Sequence, residues 1–143
     1  ALDATRNAGK SENVLYALEP IRQPWSSNDM RSGEFQALDY FLSKLNLLGL
    51  KANAKIRLRP HPSDTEGKYN EWVRSRCAKF DVELAPKESL AQAISWADWI
   101  VGCESFALVV GLSAGKKTVS TLPPWAHVCR LPQAGLIHLS RLQ

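Results

Sequence analysis

Apolar positions follow two alternating rhythms along the chain. Short runs of apolar and β-branched residues, which suit buried strands, alternate with stretches in which apolar residues return every three or four positions. Residues 13–18 (NVLYAL) form the first run and stop at Glu19-Pro20. Residues 21–33 then lose any period and carry Arg22, Gln23, Ser26, Asn28 and Asp29, which predicts an irregular polar connection. From Glu34 onward Phe35, Leu38, Phe41, Leu42, Leu45 and Leu48 recur at helical spacing, with Gly49 as the stop. Residues 55–58 predict a second strand. A helix over about 65–79 is expected after it, with Asp64 or Thr65 as N-cap, followed by a third strand over 80–84. Lys87-Glu88-Ser89-Leu90 opens the next helix, whose buried face is Leu90, Ala93, Ile94 and Ala97. Trp96 and Trp99 read as packing aromatics. A fourth strand (98–102) leads to Glu104 and Ser105 at the start of a helix ending at Gly115. A fifth strand covers 117–122 and halts at Pro123-Pro124, and a sixth short strand over 135–139 runs into a helical turn.

Strands and helices that alternate with short connections predict an α/β fold. The expected architecture is a single Rossmann-like domain: a mostly parallel sheet of five or six strands with helices on both faces. At 143 residues the chain has length for one domain with a real core. No repeat or linker divides it. Residues 1–11 are polar and read as a disordered tail, leaving 12–143 as the domain. An opening without methionine suggests a piece of a longer protein.

Composition changes this picture little. Hydrophobic residues make up 45% and charged residues 22%, as in ordinary globular folds. A net charge of +4 suits an anionic ligand or membrane headgroups. The positive charges form no long run, so nucleic acid is not an expected partner. No apolar stretch reaches the roughly 20 residues of a membrane span, and no secretory signal pattern opens the chain. Cys77, Cys103 and Cys129 lie far apart, so neither a disulfide framework nor a zinc site is expected. A reducing cytoplasm, including the inner face of the membrane, is the expected location. Trp25 and Trp125 read as ordinary surface.

In a parallel sheet every strand's C-terminal end lies on one edge, so the turns leaving the strands share one crevice. Those turns are Glu19-Pro20, Arg59-Pro60-His61-Pro62, Ala85-Pro86-Lys87-Glu88 and Gly102-Cys103-Glu104-Ser105, with 121–123 beside them. The second is the most distinctive. Its two prolines hold Arg59 and His61 out of the helical region and set an imidazole at the tip of a stiff turn. Ser63 and Ser105 supply hydroxyls, and a helix start after Gly102 offers unpaired amides suited to phosphate. His61 can donate to a phosphate oxygen, and Glu104 can accept from ribose hydroxyls. Each has a plainer role open to it: Ser105 as helix cap, Glu104 as complement to the helix dipole, Gly102 as packing glycine, His61 as surface residue. The chain contains no dinucleotide-binding glycine fingerprint, and the P-loop-like residues 111–118 end a helix instead of opening one. His61, His127 and His138 are isolated, which gives no metal ligand set. No nucleophile elbow appears.

Arg59-Pro60-His61-Pro62-Ser63-Asp64, the later Val101-Gly102-x-Glu104-Ser105, and Gly115-Lys116-Lys117-Thr118-Val119 before a proline-stopped strand resemble the C-terminal, donor-binding half of GT-B glycosyltransferases. In pattern they are similar to bacterial sialyl, polysialyl and Kdo transferases, which use CMP-activated acidic sugars and carry a His-Pro motif and a serine motif. His61-Pro62 matches the first. The second usually has two adjacent hydroxyl residues, where this chain has Glu104-Ser105-Phe106.

The resemblance implies a nucleotide-sugar-binding domain acting in bacterial capsule or lipopolysaccharide assembly, with a CMP-linked donor as substrate and no metal or other cofactor. His61 would be the catalytic residue, on the phosphate. Arg59, Pro60, Pro62, Ser63, Lys87, Glu88, Gly102, Glu104 and Ser105 would line the nucleotide site, Glu104 against the ribose and the 85–88 loop against the base. A glycan or lipid-linked acceptor and a missing N-terminal half complete the implied enzyme, so this chain alone would be inactive. Two other readings stay open: a non-catalytic α/β module binding a phosphorylated ligand or a protein, and half of a sugar-nucleotide epimerase.

Overall fold

The structure is a computed structural model that describes residues 12–26 and 28–142. The expected tail, residues 1–11, lies outside the described residues, as do Ser27 and Gln143. Six strands form one sheet: β1 (Asn13–Ala17), β2 (Lys55–Arg59), β3 (Asp81–Leu84), β4 (Trp99–Gly102), β5 (Lys117–Ser120) and β6 (Ile137–His138). Four α-helices connect them: α1 (Gly33–Ser43), α2 (Asn70–Arg76), α3 (Leu90–Trp96) and α4 (Phe106–Ser113). Every strand pairing is parallel, and the order across the sheet is β3-β2-β1-β4-β5-β6. The α/β, Rossmann-like architecture is thereby established.

Alternation along β1 distributes the core. Val14 and Tyr16 face Leu38 and Phe41 of α1 and Trp72 of α2, whereas Leu15 faces Ala93 and Ile94 of α3 and Leu108 of α4. Successive side chains of a strand point to opposite faces, so helices must cover both. β1 and β4, at the centre, are almost wholly buried. Gly111 lets α4 approach closely, since a Cβ there would lie 2.7 Å from Ile100 Cγ1.

Caps set several boundaries where the sequence places them. Ser89 accepts from the Gln92 amide while Gln92 accepts from the Ser89 amide, a complete capping box on α3. Ser105 accepts from the Ala107 amide at the start of α4. α1 ends at Ser43, and a 3-10 turn over Leu45–Leu48 carries the apolar pattern on to Gly49, whose φ is +76°.

The helix expected over 65–79 is shorter than its pattern. α2 begins only at Asn70, and Tyr69 at its N-cap makes no side-chain cap. Asp64 cannot cap it, because its carboxylate accepts from the His61 amide at 2.9 Å and from Lys68 Nζ at 2.9 Å. Gly67, at φ +83°, then turns the chain out of the helical path. The expected N-cap at Asp64 or Thr65 is corrected accordingly.

Candidate functional site

The C-terminal edge of the sheet has one topological switch. β1 leaves α1 to return on its β2 side, whereas the strand on its other side is β4, so the connections after β1 and after β4 run apart. A crevice at that reversal is where open α/β sheets take ligands. Register fixes its floor: Ala17 lies opposite Arg59 on one side and Gly102 on the other, and Gly102 lies opposite Ser120. A Cβ on Gly102 would come within 2.7 Å of the Ala17 carbonyl oxygen, so a glycine is what lets β4 sit this close to β1. Its packing role thus stands on geometry.

The turn after β2 is closed by its own polar groups. The Asp64 amide donates to the His61 carbonyl at 2.9 Å, and Asp64 Oδ2 accepts the His61 amide at 2.9 Å. The Ser63 amide donates to His61 Nδ1 at 3.1 Å, with the Ser63 hydroxyl 2.8 Å from the same nitrogen. The imidazole itself is exposed.

Beside this turn a cleft of about 530 Å³ opens between the ends of β2 and β3. Arg59, Pro60, Pro62, Lys68, Lys87 and Glu88 are among its lining residues. Arg59 Nη1 donates to the Glu88 carbonyl at 3.0 Å, which joins the two loops that form the walls. Its volume falls within the range of small-ligand pockets, about 300–1,000 Å³. His61 and Ser63 stand outside its lining, and Gly102, Glu104 and Ser105 belong to the switch, next to it along the edge.

At the switch the start of α4 faces two carboxylates. Glu19, leaving β1, accepts the Glu104 amide at 2.7 Å. Burial raises the Glu19 pKa, as does the Glu104 charge, while the Glu104 amide and the charges of His127 and His61 oppose the rise. Glu104 turns towards the 123–133 loop. His127 Nε2 lies 2.8 Å from its Oε1, the Arg130 amide donates to Oε2 at 2.9 Å, and the Arg130 guanidinium donates to Oε1. Burial would raise the Glu104 pKa, yet the hydrogen bonds from Arg130 and His127 outweigh it and hold the carboxyl below its ordinary value. Oε1 is thus occupied by His127 and the Arg130 guanidinium, while Oε2 has the Arg130 amide as its one donor and keeps acceptor capacity for a ligand hydroxyl. The amides of Ser105 and Phe106 have no protein acceptor among the described residues, which leaves them free for an anion.

The sequence does not disclose the side chains that tie the loops together. Glu34 and Gln36, on α1, are buried. Gln36 donates to the Asp29 and Arg31 carbonyls and accepts from Trp125 Nε1 at 2.8 Å, so it joins the loop after β1 to the loop after β5. Trp125 also meets Tyr40 edge-on, and Trp25 meets His127, so both tryptophans bridge elements. Beneath the edge Tyr16 shares a 2.7 Å hydrogen bond with Thr121, and burial pushes the Cys103 thiol up, which keeps it protonated. Charged residues early in a helix ordinarily signal solvent. Only the tertiary fold reveals that Glu34 turns inward.

Among the described residues no helix is long and apolar enough to cross a membrane, and no group of three or more His, Cys, Asp or Glu is arranged to hold a metal ion. No protein-family model matches the chain, and no curated protein matches it either.

Proposed function

We propose that this domain binds a nucleotide-activated sugar and is the donor half of a GT-B glycosyltransferase in bacterial surface-polysaccharide assembly, with a CMP-linked acidic sugar as donor. One observation carries the reading: the His61 turn borders a cleft of about 530 Å³ through Pro60 and Pro62, and the free amides of α4 lie on the same C-terminal sheet edge, at the reversal of strand order. The cleft between Arg59 and the 85–88 loop suits a base and ribose. Ser105, the Ser105 and Phe106 amides and the His61 imidazole suit the phosphate. In transfer, an acceptor hydroxyl oxygen bonds the anomeric carbon as that carbon's bond to the phosphate oxygen breaks; the electron pair departs on the phosphate, and the hydroxyl proton goes to a base on the N-terminal half. Donors already aimed at that oxygen stabilise the charge as it develops. The resemblance of the His-Pro motif supports the CMP assignment; the serine motif departs from the pattern, with Ser105 alone where two adjacent hydroxyl residues are usual. The acceptor, a glycan or a lipid-linked glycan, would be presented by an N-terminal half.

Calorimetric titration of the chain with CMP, UDP and GDP tests the reading. The expected result is saturable binding with CMP preferred, weakened at least tenfold by His61→Ala. Preference for UDP or GDP would move the donor class. Absence of binding to all three by the folded chain would refute the nucleotide site and favour a module with a different ligand.

A further inference from the structure

Asp64 and Lys68 lie under the His61 turn in an arrangement costly for stability alone. The Asp64 and Glu34 side chains are each only 2% exposed. Lys68 Nζ lies between them, 2.9 Å from Asp64 Oδ1 and 3.1 Å from Glu34 Oε1. Glu34 Oε2 accepts the Ile21 amide at 2.6 Å, and the Tyr69 hydroxyl donates to Asp64 Oδ2 at 3.3 Å. The network thus ties the loop after β1, the start of α1 and the turn after β2 to one ammonium. Two buried carboxylates share that single cation. Apolar residues of similar volume often serve stability as well or better. Asp64 also forgoes the helix cap that its position offers, and α2 starts uncapped six residues later.

What this arrangement achieves is the setting of one imidazole. Asp64 holds both backbone polar groups of His61, accepting its amide and donating to its carbonyl. Pro60 and Pro62 restrict the same turn. The ring is left with Nδ1 receiving the Ser63 amide, so Nδ1 carries a lone pair and the neutral ring carries its proton on Nε2. A ring so held meets a ligand as an N–H donor, and its one basic nitrogen is already occupied.

We propose that Asp64 and Lys68 are positioning residues that fix His61 as an Nε2–H donor, so that it serves a ligand's acceptor oxygen and takes no proton from an attacking hydroxyl. The acceptor class, a phosphate oxygen, rests on the nucleotide reading above; the fixing of the ring does not. The inference gives His61 a direction as well as a place: its contribution to catalysis is to hold the departing phosphate.

The test reads the imidazole directly. The chain is labelled with nitrogen-15 at histidine, and its ring nitrogens are followed by long-range proton–nitrogen correlation above the titration range, with His61→Gln assigning the signals among the three histidines. In the wild type, Nδ1 of His61 is expected at the shift of an unprotonated nitrogen and Nε2 at that of an N–H. Asp64→Ala should move both towards the averaged values of a free imidazole and weaken CMP binding about tenfold, as expected for a lost hydrogen bond to a charged acceptor. Asp64→Asn keeps an oxygen for the His61 amide and should restore most of the signature, which a general loss of stability would not do. Lys68→Met provides a second route should Asp64→Ala fail to fold, with the same displacement expected. Protonation at Nδ1 in the wild type, or unmoved nitrogens in a folded Asp64→Ala or Lys68→Met chain, would overturn the proposal. Nitrogen shifts that behave as stated in a chain that binds no nucleotide would uphold the positioning role and overturn the nucleotide reading alone.

Discussion

Gly102→Ala separates a packing role from a ligand-approach role at the switch point. An added Cβ would lie 2.7 Å from the Ala17 carbonyl oxygen, and its next contacts are Ala17 carbon and Leu108 Cδ2 at 3.7 Å. The clash is with main chain, which cannot rotate away as a side-chain tip can. β1 and β4 would have to separate by roughly half an ångström along a fully buried part of the sheet, an overpacking that costs about 2 kcal/mol. For a chain of this length the thermal midpoint should fall by about 6 °C. Gly135→Ala, whose Cβ would sit 3.4 Å from Leu112 Cδ2, is the matched control and should stay within about 0.5 kcal/mol. Urea unfolding of both variants, monitored by tryptophan fluorescence, measures the difference. A Gly102→Ala chain as stable as the control would refute the packing argument. If that chain also failed to bind nucleotide, the glycine would owe its place to ligand approach.

Lys68→Met should destabilise the fold by about 3 kcal/mol, because it strands the buried Glu34 and Asp64 carboxylates; Lys68→Met with Glu34→Gln should lose less than the sum of the two single changes, as a double-mutant cycle in urea would record. Glu104 is held below its ordinary 4.5, so the stability it contributes is full above the unfolded-state pKa and is lost as pH falls through the lower folded value. Stability compared with Glu104→Gln should therefore differ most near neutrality and converge in acid. Glu19 has the opposite sign: its folded pKa is raised, so the stability it adds belongs to acid and disappears as pH rises through that value, and Glu19→Gln should gain on the wild type towards neutral pH. Ser105→Ala should cost about 1 kcal/mol as a lost cap and weaken CMP binding further.

Local physics made much of the fold legible. Short apolar runs locate the strands, the central two being buried on both faces, and the period-3.6 pattern locates the helices through the apolar faces that the sheet buries. Ser89, Ser105, Gly49 and Gly115 mark their ends through capping and positive φ. The edge that gathers His61, Lys87 and Ser105 was legible too, since parallel strands all end on one side. Long-range pairing was not. No local signal says that β4 lies beside β1, or that Glu104 meets Arg130 twenty-six positions away. The local pattern over 65–79 overstates the helix because it offers Asp64 as a cap, whereas Lys68 and the His61 amide claim that carboxylate. Gly67, inside that pattern, was the signal available.

The most direct test of the nucleotide site is where a nucleotide touches the molecule. Amide nitrogen–proton spectra of the full chain, titrated with CMP, should show shifts concentrated in residues 59–64, 85–88 and 102–106 along the C-terminal edge of the sheet. Shifts centred elsewhere, such as the groove of Met30, Phe35 and Trp72 beside α1 and α2, or a spectrum unchanged at saturating CMP, would contradict the account.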